Sequence, residues 1–582
     1  MTFVDFVTPV PADWLNNVNF VVNNQITPTT PSLVVANIAA LRNVIHLNNT
    51  SVTVLGYTNK GDGGGGAYYY NASDTSSADN GGTIIVAVDG ARWYATNQTI
   101  ITPQMFGCVS GGSSNEQTQF QTAIDYAYNN GKYFLAAGTF LVDHITLSGY
   151  NGFKAHLACN LVASTAGTVR SALFEIFNGN NIYITGSCDI NTGYQTNYTQ
   201  GILVWGTATC QYIRLENFSV NGAQQAWTFG SLAHPDALIS EITIAGGQTF
   251  GCPSVCQVIG VEAFISVSQP IWSADTFGGS GAWLTLPAVG TNCIGGRLEI
   301  SGGELLMTAI TTGVLCQTQC LQSTSFQNRY GTIVCRGLEI ETASKLAQAV
   351  NSQGVAVPFA GLGDLHFVDC DGFTSFDNDV FIFTDALYSG RITLKNNNFY
   401  FLSGNRTHNN IQCGNTAAVV YTDPISLGLG FKDWIGGVIG GTVKFDGQSV
   451  LDAQNLNSQN FPASTNTNMV FVSANNTGPN IRFLPNYSAV SGLFTVPAGG
   501  LKALNITVSA QVSGVTAGQI EIYITGVLFA AAPFVNGVGN VSLGLNSLPS
   551  GATINAAILT TAGSGNANAT STAHHFSITA SC

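Results

Sequence analysis

Three short segments decide how this chain folds: Leu338-Glu339-Ile340-Glu341, Leu365-His366-Phe367 and Ile392-Thr393-Leu394. In each, alternate residues are apolar, the period of a strand with one buried face. Their first residues are 27 apart (338, 365, 392). A repeat of that length fits one coil of three short strands and three turns, the unit of a solenoid. Such coils bury their inward rows as one core when they stack, and leave the outward rows to solvent.

Outward from these segments the pattern persists. Ile213-Arg214-Leu215-Glu216-Asn217 and Leu298-Glu299-Ile300 alternate in the same way between Asn- and Gly-rich turns. No convincing helix interrupts the stretch after residue 147 for more than 300 residues. The expected fold is all-β: a right-handed parallel β-helix over 104–464. Before it, Ser114 and Gln117 have capping-box spacing, and Phe120, Ile124, Ala127 and Tyr128 form one apolar stripe that Gly131 ends. This predicts one helix over 116–130. Strands at Tyr133–Leu135 and Thr139–Leu147 come next.

Both ends differ. Residues 1–50 read as a small anchor and neck with α/β character. Thr30 and Pro31 suit a helix start, and Val34, Ile38, Leu41 and Ile45 continue at helical spacing. One such stripe is too short to be stable alone, which suggests a helical neck shared by three chains. Residues 51–103 read as a small antiparallel β domain with a Gly63–Gly66 loop and an Asp89-Gly90 turn. From 465 to 582, segments such as Leu504–Val512, Gln519–Thr525, Val538–Leu545 and His574–Ala580 alternate cleanly. They predict an antiparallel β-sandwich of jelly-roll type.

Composition narrows the partners. Charged residues make up 8% of the 582, Gly supplies 66, and hydrophobic residues reach 45%, so the chain is folded with a polar but mostly uncharged surface. The net charge is −13 and Lys plus Arg number 18, with no basic run. That excludes a nucleic-acid partner, which needs clustered cations, and suits a carbohydrate. Thirteen scattered cysteines read as buried thiols. Neither Cys252/Cys256 nor Cys316/Cys320 makes a zinc pattern, and Asp377-Asn378-Asp379 lacks the rest of a calcium loop. No metal and no cofactor are expected. The sequence shows neither a signal peptide nor an apolar run of membrane-spanning length.

Chemistry on such a fold needs outward carboxylates. Glycoside hydrolysis uses two, about 5–5.5 Å apart for retention or roughly 6.5–9.5 Å for inversion. Coils about 4.7–4.9 Å apart offer these spacings naturally. Between 205 and 283 lie Trp205, Trp227, Trp272 and Trp283, whose faces could stack on sugar rings. Asp236, Glu241, Glu262 and Asp275 lie among them and form the preferred acid/base pool, with no pairing assigned. Glu339, Glu341, Asp364, Asp369, Asp371, Asp377, Asp379 and Asp385 form a second pool. A lyase would instead use a base and a cation, for which Arg329, Tyr330 and His366 are candidates.

Several motifs also carry a resemblance. Thr8-Pro9-Val10-Pro11-Ala12-Asp13-Trp14-Leu15-Asn16-Asn17-Val18 resembles the start of podovirus-type tail proteins. The stretch Leu55-Gly56-Tyr57 through Tyr70, and Asp89-Gly90-Ala91-Arg92-Trp93, resemble segments that precede tailspike β-helices. Met105-Phe106-Gly107, the helix at 116–130 and Ala137-Gly138-Thr139-Phe140 resemble the beginning of pectate-lyase-like β-helices of such spikes. Where that family has Asp-Gly-x-x-Asp-Asp, this chain has Gly111-Gly112-Ser113-Ser114-Asn115-Glu116. The resemblance implies a bacteriophage tailspike: a homotrimer on the phage tail, joined to adaptor proteins through its N-terminus, that binds and cleaves a bacterial surface polysaccharide. A spike that binds without cleaving, a lyase, and a secreted pectinase-like enzyme are the alternatives.

Overall fold

The computed structural model describes residues 33–581 apart from 112–113, 165–169, 195–197, 276–288, 309, 311–312, 324, 327, 343–344, 352–362, 375–381, 402–410, 416, 423–437, 440–441, 446–447, 455–459, 463, 465, 470–486, 489–490, 497–500, 516, 536, 563–564 and 568–574. They fall into two compact units, one within 33–110 and 122–132, the other within 111–121 and 133–581.

The first unit is built on a five-stranded sheet in the order Leu33–Val35, Ser51–Val54, Gly66–Tyr70, Arg92–Ala95, Ile84–Val86. Here the structure corrects the neck. Leu33–Val35 is a strand, paired in parallel with Val52–Val54, and among the described residues of this stretch Ile38–Leu41 is α-helical and His46–Asn48 a 3-10 turn. Ile38 and Leu41 are buried against Val52, Val54, Tyr68 and Trp93. Ile38 and Leu41 thus help close the small core of this unit, while Val34 and Ile45 of the same stripe are exposed. Four residues are one helical turn, and Asn37 caps it by accepting from the Ala40 N–H at 2.9 Å. Thr30 and Pro31 lie outside the described residues.

The second unit holds the solenoid. The expected helix spans Gln117–Asn129. Its start differs from the capping box: the Asn115 side chain accepts from Gln117 N–H at 3.0 Å. The Gln117 side chain instead accepts from the backbone N–H of Asp143 and His144. Phe120 packs edge-on against Phe134 and Phe140, closing the first coil.

From Tyr133 the chain winds as a three-faced parallel β-helix. The first face runs from Asn180–Gly186 through Thr209–Glu216, Leu238–Ala245 and onward to Thr442–Phe445. The second runs from Cys188–Asn191 to Asn398–Phe401. The third runs from Ile145–Ser148 to Val438–Ile439. All of these pairings are parallel. On the first face Ile213, Ile242, Ile265, Leu298, Ile333, Leu365, Ile392 and Val420 stack in register and are at most 1% exposed. Burying each such side chain stabilises by about 1.5–3 kcal/mol before chain entropy is counted.

The repeat is real but uneven. Leu365 stacks on Ile392, 27 residues on (365 to 392). Leu338 belongs elsewhere: Leu365 stacks on Ile333, and Glu339–Thr342 lies on the second face. Coils run from 23 residues (242 to 265) to 35 (298 to 333), because loops of varied length leave the corners.

One corner is nearly invariant. Between the first and second faces stand Asn217, Gly246, Gln269, Gly302, Gly337, Asp369 and Asn396, all left-handed, with φ between 52° and 69°. Each of the first six donates its N–H to the next coil at 2.8–3.0 Å, as Asn217 does to Ala245 and Asp369 to Lys395. Gly and Asn adopt this conformation most readily. A Cβ at Gly337 would meet nothing within 4 Å, so Gly337→Ala isolates the backbone cost. We expect a loss of about 1–2 kcal/mol, read from the urea midpoint.

Near the C-terminus two antiparallel sheets face each other. Leu501–Ser513 lies between His575–Ser581 and Val538–Leu548. Thr553–Ala562 pairs with Ala517–Ile524. Ile506, Val508, Ile520, Ile522, Ile554 and Phe576 fill the space between them. Gln448–Gln454 also joins, paired with His575–Ser581, so the sheet draws on a segment upstream of residue 465.

Candidate active site

The left-handed corner fixes the phase of the strand that leaves it. Side chains alternate along a strand, so the second residue after the corner points outward on the second face, and so does the fourth. The second residues form one column: Ser219, Gln248, Ile271, Glu304, Glu339, Asp371 and Asn398. Neighbours pair directly, as Ile271 with Glu304, Glu304 with Glu339, Glu339 with Asp371 and Asp371 with Asn398. The fourth residues form another, Asn221, Phe250, Ser273, Leu306 and Glu341, with a β-bulge between Thr249 and Cys252 that sets Phe250 off from Ser273. Phe250 is 62% exposed and Ile271 41%.

Four carboxylates therefore share one stretch of this face. Glu304, Glu339 and Asp371 occupy three successive coils, about 4.8 Å apart along the helix. Glu341 sits two residues beyond Glu339, about 7 Å along the strand, and about 8 Å diagonally from Glu304. The backbone beneath them is fixed. Glu304 N–H donates to Pro270 at 2.7 Å, Glu339 to Gly303 at 2.9 Å and Asp371 to Leu338 at 2.9 Å. Glu304 and Glu341 are half-buried, Glu339 and Asp371 exposed. Partial burial, then the charges of Glu339 and Glu304, raise the Glu341 carboxyl above the usual range. A carboxyl whose pKa is raised above the ordinary range beside other carboxyl groups suits acid–base work.

The structure disperses the preferred pool. Asp236 and Glu262 lie in stacked turns ahead of the first face, joined by the bond from Val261 N–H to Pro235 at 3.0 Å. Asp236 accepts from the Ser323 hydroxyl at 2.6 Å. Glu241 is exposed on the first face, at φ 56°. Asp275 ends a second-face strand and accepts from Ser273 Oγ at 2.8 Å. They occupy a corner and two faces.

Two tryptophans are corrected outright. Trp272 is the third residue after its corner and so points inward, 1% exposed; Trp227 lies on the inward side of the third face, 0% exposed. Their rings pack against each other at 6.5 Å. Trp205 is half-buried, donates its indole N–H to Glu175, and packs beside Phe177 and His234. Trp283 lies outside the described residues, as do Asp377 and Asp379.

The lyase candidates are tied into other networks. Arg329 donates to the Gly295 carbonyl at 2.7 Å, and the Tyr330 hydroxyl donates to Asp385 at 2.7 Å. His366 and Arg391 hold Asp364. Burial would raise that carboxyl, but these two partners bring it down to about 2. Asp369 is a corner residue that accepts from Asn396 at 3.0 Å. Glu304 escaped the sequence reading, although counting two residues on from Gly302 finds it, as the same count from Gly337 finds Glu339.

All twelve described cysteines are buried, and none of them is joined in a disulfide. Burial pushes the Cys210 thiol up to about 12, which leaves it protonated and unreactive. Among the described residues, no group of three or more His, Cys, Asp or Glu is placed to hold a metal ion. No described helix is long and apolar enough to cross a membrane.

Comparison with known proteins bears on the small sheet of the first unit. Residues 34–98 match a phage tail protein family, the small four-stranded β-sheet domain. No curated protein sequence matches the chain. Among solved structures, the chain is similar to a tailspike protein of Acinetobacter baumannii bacteriophage Fri1, described as a capsular polysaccharide depolymerase. Identity there is 11%, coverage 94% of this chain and 100% of that one, and the TM-score 0.41. Tailspike protein 2 of an Escherichia coli O157:H7 bacteriophage is 12% identical over 98% of this chain and 79% of that one, with a TM-score of 0.40. A Pantoea stewartii glycan biofilm modifying enzyme with a tailspike-like parallel β-helix is 11% identical over 94% and 71%, with a TM-score of 0.34. The assignment of the β-helix rests on the strand pairing itself.

Proposed function

We propose that this chain is a phage tailspike that grips a bacterial surface polysaccharide along the second face of its β-helix and hydrolyses it there. The stacked carboxylates with a raised Glu341 carry this reading; the phage tail domain at 34–98 supplies its setting. In this reading the spike is a homotrimer, attached to the tail through its N-terminal part and acting at the host surface.

Glu341 is the general acid. Its raised pKa keeps the proton available for the leaving glycosidic oxygen. Glu304 or Glu339 is the base that activates water. Their backbones stand about 7–8 Å from that of Glu341, which leaves room for a water between the carboxyl groups, as inverting enzymes require. Phe250 and the amides of Asn221 and Gln248 lie farther along the same two columns, suited to ring stacking and hydroxyl contacts. Hydrolysis is favoured over β-elimination because the described outward positions of this face carry carboxylates, amides, hydroxyls and apolar groups but no Lys or Arg.

The test is incubation with purified capsular and O-chain polysaccharides. New reducing ends of inverted anomeric configuration, tracked by NMR, are expected. Absorbance from unsaturated uronate would replace this mechanism with elimination, and binding without new ends would reduce the protein to a receptor-binding spike. The pH profile is a further check. The acid works only while protonated, so kcat/KM is expected to fall as pH rises through the raised pKa of Glu341.

A further inference from the structure

A second surface, on the first face, has no part in that chemistry. At the start of its strands Asn181, Tyr212 and Glu241 are left-handed, with φ of 51°, 55° and 56°. They lie in register on three successive coils, between the pairs Gln211–Ser240 and Ile213–Ile242 and their counterparts one coil earlier. Asparagine accepts this conformation readily; a bulky tyrosine rarely does. The strained backbone leaves the Tyr212 ring 58% exposed. Two residues further on, Tyr183 is 40% exposed and pairs with Arg214 of the next coil. The Arg214 guanidinium lies 5.7 Å from the centre of the Tyr183 ring. Glu216 fixes both, accepting from Arg214 Nε at 2.6 Å and from the Tyr183 hydroxyl at 3.1 Å.

We infer that Tyr183, Tyr212, Arg214 and Glu216, with Glu241 at the edge, form a non-catalytic subsite for a polysaccharide segment. The inference rests on the reading of the chain as a glycan-binding spike. Exposed tyrosine rings offer faces for the C–H side of a pyranose. A guanidinium and a carboxylate held by each other present planar, directional donors and acceptors to vicinal hydroxyls. Tyr183, Arg214 and Glu216 already hold one another, so binding orders little of them that was free. Arg214 and Glu216 cancel in charge, which suits an uncharged stretch of glycan better than a polyanion. The Tyr212 coil lies three coils from that of Glu304, about 14 Å along the axis and on another face. A short fragment therefore occupies one site, and only a longer chain engages both. The subsite holds the polymer near the carboxylates by raising its effective concentration.

The experiment uses the full chain carrying Tyr183→Ala and Tyr212→Gly. Glycine fits φ 55° without strain, so the second change removes a ring without burdening the fold. Binding to immobilised long-chain polysaccharides is measured in a Glu341→Gln background that prevents digestion. Cleavage of short fragments of the same glycans is measured without that change. The expected result is a loss of about tenfold or more in long-chain affinity, with short-fragment cleavage within about twofold of the parent. Unchanged long-chain affinity would overturn the subsite. So would an altered oligomeric mass in light scattering, which would make the patch a contact between copies. Cleavage that survives Glu341→Gln would instead sink the active-site reading and leave this test standing.

Discussion

Replacing Glu341 by glutamine is expected to lower polysaccharide cleavage by about 10²–10⁴-fold while leaving binding nearly unchanged. Glutamine keeps the shape and can still donate a hydrogen bond, but it has no proton to give the leaving oxygen. The loss should fall on kcat, since the interaction removed exists only in the transition state. A companion change separates proton donation from positioning. Burial and then the charges of Glu339 and Glu304 raise the Glu341 carboxyl. Removing the Glu339 charge with Glu339→Gln should lower that pKa and move the alkaline limb of the activity profile to lower pH. A Glu341→Gln protein with full activity would eliminate the second face as the site. A Glu339→Gln protein with an unmoved alkaline limb would dismiss Glu341 as the acid even if activity falls.

The fold was legible because its code is local. Alternation at Leu298-Glu299-Ile300 or Ile392-Thr393-Leu394 needs only neighbours to read, and the asparagine and glycine corners mark where strands end. The site was less legible, because stacking is set by loop lengths that differ from coil to coil. A fixed spacing of 27 joined Leu338 to Leu365, whereas the backbone stacks Ile333 there, 32 residues before (333 to 365). With the wrong register, carboxylates that lie one above another look scattered, and scattered ones look paired. Glu241 and Glu262 are 21 apart (241 to 262), close to a short coil, yet one is on a strand and the other in a turn. Counting from the left-handed corner corrects this. It needs no period, because the corner fixes phase anew in every coil.

The same count separates aromatic residues that hold the protein together from those that can hold sugar, and a pair of substitutions should display the difference. Trp227 is fully buried and packs on Trp272 one face away. Trp227→Ala removes a large side chain from a close-packed interior and is expected to cost about 3–5 kcal/mol, seen as a lower midpoint in chemical denaturation. The protein that remains folded should bind polysaccharide as before. Trp227→Phe should cost far less, since its smaller ring still fills most of the space, and the indole N–H it removes has no partner among the described residues. Phe250 reverses the pattern. Four residues past its corner and 62% exposed, it contributes little to the core, so Phe250→Ala should shift stability by no more than about 0.5 kcal/mol. Its loss should fall on glycan affinity. Were Trp227→Ala to leave the midpoint in place and abolish binding, the inward and outward assignments along the helix would have to be exchanged. The carboxylate columns, which depend on the same alternation, would turn inward with them.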